Sequence, residues 1–176
     1  MDPIFRAGRA IGQAEILRLE RKKGVIYLNK AIAELKRSRI RGLSGVTKHL
    51  QGIARNWQKR SVELPGITPA IQALGGKTYQ AVSCGVLLGQ AMETCRQAGK
   101  DTVTSRAKRQ VLMYLRSSSK HAYALKAQGL AKNMRDCRPN FNRVIAPIQT
   151  VRRSSELRNY YQFIERLSNT VGNAIH

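Results

Sequence analysis

One stretch of this chain nearly stops being charged, and it constrains the fold more than any motif. Between Gly66 and Gly99 the only charged residues are Lys77, Glu93 and Arg96, set among Ile67, Ile71, Leu74, Val82, Val86, Leu87, Leu88 and Met92. Burying an unpaired Lys or Arg costs more than a Leu-sized apolar contact returns. Residues 65–99 are therefore the natural interior: a low-charge, glycine-containing apolar central helix. A basic N-terminal arm (1–64) and basic C-terminal helices (100–176) wrap it. The expected architecture is a single all-α domain of long amphipathic helices with extended basic arms.

The charge that the centre lacks is carried by both flanks. Over 176 residues there are 32 Lys and Arg against 10 Asp and Glu, a net charge of +22. Fifteen basic and five acidic residues fall in 1–64, two and one in 66–99, and fifteen and four in 100–176, so the excess is not a terminal tail. A compact state with this much like charge repels itself, and a polyanionic partner relieves the repulsion. Nucleic acid ranks above an acidic membrane because the cations run along the whole chain, outside any single amphipathic segment with aromatic anchors.

The start, Met1-Asp2-Pro3-Ile4-Phe5, does not read as a secretory signal, and the apolar run from Val82 to Met92 is interrupted by Cys84, Gly85, Gly89 and Gln90 and is too short to span a bilayer. Cys84, Cys95 and Cys137 are odd in number and fit no metal-ligand spacing, which points to reduced thiols. The expected setting is intracellular or the interior of a virion.

Helical periodicity organises the arms. A long first helix is expected from Pro3 to Arg41, with Val25, Leu28, Ile32 and Leu35 on one face and Lys23, Lys30, Lys36 and Arg37 on the other. Arg18, Arg21 and Lys22 rotate onto its apolar side before Gly24, so either the helix bends there or that surface meets a charged partner, the bend being favoured. Arg39 and Arg41 belong to the basic turn that ends this helix. A second helix is expected from Val46 to Glu63, capped by Ser44, with Leu50, Ile53, Ala54 and Trp57 inward and Arg55, Lys59 and Arg60 outward. Thr68 and Pro69 read as the start of the central helix. Gly85 and Gly89, four apart, predict close approach by another helix, from the same chain or a second copy.

Asp101 or Thr102 is expected to cap a fourth helix running to Cys137 and stopped by Arg138-Pro139, with Pro147 limiting the next segment to loop or a short turn. On that helix Arg106, Arg109, Arg116 and Lys120 oppose Val111, Tyr114, Leu115, Ala122 and Leu125, and no acid lies between Thr102 and Arg135 to pair with the basic stripe. Arg152 and Arg153 precede a last helix, Ser154 to Gly172, whose Leu157, Tyr160, Ile164, Leu167 and Val171 form a seam that wants a partner helix.

Catalytic patterns are missing. Leu74-Gly75-Gly76-Lys77-Thr78 has the tail of a phosphate-binding loop, but Ile71 stands where the loop needs its first Gly, and the expected context is a helix start, not a strand. His49, His121 and His176 are far apart, and the acids form no group able to hold a catalytic metal. Cys84 sits in the most apolar stretch, where a thiolate is disfavoured. No enzyme, metal or cofactor is expected.

Aromatics make up 6% of the chain and are not interleaved with the basic stripes in sequence. Phosphate contacts should therefore dominate over base stacking, with weak sequence specificity. Matched charge for charge, +22 covers roughly 37 Å of duplex at about one charge per 1.7 Å. The sequence thus points to a non-enzymatic structural protein that coats or packages DNA or RNA, such as a viral capsid protein, nucleoprotein or other virion component. Its expected nucleic-acid-binding residues are the eighteen cations Arg18, Arg21, Lys22, Lys23, Lys30, Lys36, Arg37, Arg39, Arg41, Arg55, Lys59, Arg60, Arg106, Arg109, Arg116, Lys120, Arg152 and Arg153. Self-association is expected through Gly85 and Gly89 and through the Leu157 to Val171 seam. The alternatives are a ribosome-like cellular ribonucleoprotein subunit and a phage-type internal or ejection protein whose helices line a channel or meet a membrane.

Overall fold

The computed structural model describes residues 1–59, 74–98 and 104–175, and all regular structure among them is helical. Helix α1 (Pro3–Ile16) starts where the Asp2 carboxylate accepts from the Phe5 amide (3.4 Å) and Pro3 takes a first-turn position that needs no N–H. The single helix expected from Pro3 to Arg41 is instead a hairpin. The chain turns at 17–20, and α2 (Arg21–Arg37) folds back along α1, where Arg6 pairs with Glu34 at 3.2 Å. The cause is the face on which the charges fall. A continuous helix would drive Arg18, Arg21 and Lys22 into the apolar stripe, whereas the turn leaves Arg18 and Lys22 exposed and still buries Val25, Leu28, Ile32 and Leu35.

Helix α3 (Ser44–Gln58) packs antiparallel on α2, with the Trp57 ring lying against Gly24; a Cβ there would come within 2.7 Å of the ring. Ser44 does not cap it. Leu43 already has helical backbone angles, so Ser44 is the first residue of the helix and makes no capping bond.

Helix α4 (Gly76–Gln97) is the hub: nearly every residue from Ala81 to Cys95 is buried, with α1, the next helix and the C-terminal helix packed around it. It runs parallel to α1, and the two backbones touch through glycines from both sides. A Cβ on Gly8 or Gly12 would come within 2.4 Å of the carbonyls of Val82 and Val86, and one on Gly85 or Gly89 would meet those of Phe5 and Arg9 just as closely. The expected cap at Thr68 and Pro69, the stop at Gly99 and the cap at Asp101 or Thr102 lie outside the described residues.

Helix α5 (Thr104–Ala127) packs antiparallel on α4, joined by a buried bond from Ser118 Oγ to the Cys84 carbonyl (2.9 Å). It ends well before Cys137 because Gly129 (φ +63°) and Asn133 (φ +61°) take left-handed backbone that a helix cannot contain. Pro139 then lies in the first turn of α6 (Arg138–Gln149), so it opens a helix where the sequence suggested a stop. Pro147 also sits inside α6, in its last turn, and Thr150 closes that end with its amide and hydroxyl on the Pro147 carbonyl (3.1 and 2.8 Å). A four-residue α7 (Ser154–Leu157) and a 3-10 turn (Arg158–Tyr160) lead into α8 (Tyr161–Ala174), antiparallel to α1, with Phe5 seated on Gly172. No helix among the described residues is long and apolar enough to cross a membrane.

Candidate nucleic-acid interface

Some of the cations hold the fold together. Arg6 reaches Glu34 across the α1–α2 hairpin, and Arg9 Nη1 donates to Ser168 Oγ (3.0 Å) and Asn169 Oδ1 (2.8 Å), tying α1 to α8. Burial lowers the Arg9 pKa from its ordinary value, which the neighbouring Glu165 partly offsets.

The expected binding residues stand elsewhere. Arg60 lies outside the described residues, Arg21 is half-buried, and the other sixteen are exposed. Lys23 pairs with Glu20 (3.0 Å) and Arg37 with Glu34 (3.4 Å), both across one helical turn. Such exposed pairs contribute little and leave the cation free to exchange partners.

The fold gathers these cations from distant parts of the sequence. The 17–20 turn is the focus. Lys22 and Arg21 share a groove with Trp57 and Gln58 at the end of α3, so Lys59 lies at the same end. Leu19 shares another groove with Arg106 of α5. Lys108 Nζ donates to the Val151 carbonyl (3.1 Å), which holds the loop bearing Arg152 and Arg153 against the first half of α5. The remaining cations are further off. Lys36, Arg37, Arg39 and Arg41 occupy the far end of α2, with Arg39 in left-handed backbone (φ +54°). Arg116 and Lys120 continue the α5 stripe, Lys120 about 21 Å from Arg106 at 1.5 Å of rise per residue. Among the residues of α5 itself no acid accompanies that stripe, while Val111, Leu115, Ala122 and Leu125 are buried on the other side.

Both seams expected to pair with a second copy are filled within the chain. Gly85 and Gly89 lie against α1, and Leu157, Ile164, Leu167 and Val171 are buried, with Tyr160 half-buried against the same core. A seam reads the same whether its partner helix comes from the same chain or another, and here α1, α4 and α8 satisfy one another.

Aromatic residues also meet cations within the fold. Three tyrosines lie under cations: Tyr27 under Lys30 one turn along α2 (4.8 Å), and, from distant parts of the chain, Tyr161 under Arg96 (4.3 Å) and Tyr123 under Arg138 (4.2 Å). Arg96, Arg158 and Tyr27 were not among the expected site residues. A sequence signal for Arg96 existed, since a lone Arg in a segment otherwise fit for burial must reach the surface or a partner.

Arg96 does both. It is 48% exposed while its Nη1 lies 3.3 Å from the fully buried carboxylate of Glu93. Gln13 Nε2 also donates to Glu93 (3.2 Å). Burial pushes the Glu93 carboxyl above the usual carboxylate range, and Arg96 and Gln13 pull it back. Cys84 is buried against Ser118, its thiol pushed up to about 12, so it packs as a small hydrophobe. No protein-family model matches the chain, and no curated protein or solved structure is significantly similar to it.

Proposed function

We propose that the protein is a non-enzymatic nucleic-acid-binding structural protein that coats or packages DNA or RNA through phosphate contacts, as a component of a virion. The observation that supports this most is the separation of charge by burial. The hub helix is nearly neutral and enclosed, while sixteen of the eighteen expected binding cations are exposed, with Arg21, Lys22 and Lys23 in one groove with the end of α3 and Arg106 of α5 in a second groove beside Leu19. Surface cations at several points on one body suit a backbone that passes over it, and contacts to phosphate carry no sequence preference.

The burial of both expected seams within the chain favours a second reading, a single-copy subunit of a cellular ribonucleoprotein. Stoichiometry separates the two. Saturation at a regular number of nucleotides per protein supports coating, and one tight site on one structured RNA supports the subunit.

The α5 stripe provides the test of phosphate binding. Replacing Arg106, Arg109, Arg116 and Lys120 together with Ala weakens binding to unrelated sequences alike and flattens the salt dependence, by about 0.7 to 0.9 in log–log slope for each phosphate no longer neutralised. Unchanged affinity and slope would remove the stripe from the interface.

A further inference from the structure

Arg96 forms the wall between two grooves. One, of about 520 Å³, is lined by Arg96, Arg158, Asn159, Tyr161 and Gln162. The other, of about 260 Å³, lies between α2 and the end of α4 and includes Tyr27, Lys23 and Lys30. Arg96 donates to the hydroxyls of both tyrosines, and its guanidinium lies over the Tyr161 ring. The side chain is therefore held by two tyrosines and a buried carboxylate while it remains 48% exposed.

These parts match the parts of one nucleotide. A guanidinium packed against an aromatic ring and still partly exposed is a surface on which a base can stack. Asn159 and Gln162, both exposed in the same groove, each carry an amide donor and an amide acceptor, the pairing that a base edge requires. Arg158 supplies a cation for the phosphate on the same wall. A base inside a duplex offers neither its face nor its pairing edge, so an occupant that uses all three parts is unpaired.

We infer that the groove beside Arg96 and Tyr161 binds an unpaired nucleotide of a single strand, with the base stacked on Arg96, its edge read by Asn159 and Gln162, and its phosphate held by Arg158. This rests on the nucleic-acid reading above and adds to it a contact with the base that the sequence led us to expect would be minor.

The test compares a single-stranded oligonucleotide with a strand of the same length made of abasic sugar-phosphate units, which keeps the charge and removes the bases. Wild-type protein should bind the base-bearing strand roughly five- to 150-fold more tightly, the range that one stacked base provides. Asn159→Ala with Gln162→Ala, both at exposed positions, should lower that preference and leave the slope of affinity against salt unchanged, as should Tyr161→Leu in protein whose circular dichroism matches wild type. Equal affinity for the two strands, or a preference that survives all these substitutions, overturns the inference while the phosphate reading stands. Binding to neither strand at low salt overturns both.

Discussion

Glu93 shows at the scale of one residue how this chain admits charge to its interior. Its side chain is fully buried on the hub helix, and its partners come from two directions, Arg96 one turn along α4 and Gln13 from α1. Burial is the main cause of its raised pKa. A carboxyl whose native pKa is raised binds its proton more tightly when folded, so its stabilising contribution is complete below the unfolded carboxyl pKa of about 4.3 and is lost as pH rises through the native value. Glu93→Gln keeps the shape and an acceptor but cannot ionise. In urea unfolding, wild type should therefore gain stability relative to Glu93→Gln as pH falls from neutrality toward about 4.5. A stability difference that stays flat with pH, or shifts toward wild type as pH rises, contradicts this account of Glu93.

At the scale of elements, the α1–α4 crossing determines how closely the hub can be wrapped. Gly12 and Gly89 leave the least room, since a Cβ would lie 2.0 Å and 2.1 Å from a facing backbone carbonyl oxygen. Gly12→Ala must separate the helices and should cost about 1–3 kcal/mol or more from overpacking. At Gly52, on α3, a Cβ would meet nothing within 4 Å. There Gly→Ala should stabilise by up to about 1 kcal/mol through helix propensity alone. Thermal unfolding of the two variants measures both signs, and a Gly12→Ala protein as stable as wild type would show that the two helices do not meet backbone to backbone.

The glycine spacing at 85 and 89 was legible as a close approach, and Gly8 and Gly12 carry the same spacing at the helix that fills it. That the partner was α1 of the same chain was not legible, because a groove of small residues does not identify the helix that enters it. The low-charge hub and the outward cations could be read because burying an unpaired charge is costly at any position. Pro139 was misread because a proline at a helix start and one at a stop look alike until Gly129 and Asn133 are seen to have ended the previous helix. The two grooves that meet at Arg96 draw Tyr27, Arg96, Arg158 and Tyr161 from three separate parts of the chain, a conjunction that periodicity within one helix does not reveal.

The chain carries a net charge of +22, and among the described residues exposed cations surround an interior in which charge is sparse and paired. Repulsion among the exposed cations opposes the compact state in the free protein, and a phosphate backbone laid over them removes the repulsion and releases its own counterions. Affinity should therefore fall steeply with salt and depend little on sequence. The decisive measurement is the affinity of nucleic-acid-free protein for unrelated DNA and RNA strands across a series of salt concentrations. We predict nearly parallel lines of log affinity against log salt; six to ten phosphate contacts correspond to a loss of about 10³- to 10⁵-fold between roughly 50 and 200 mM. No binding at the lowest salt, or binding indifferent to salt, would contradict it.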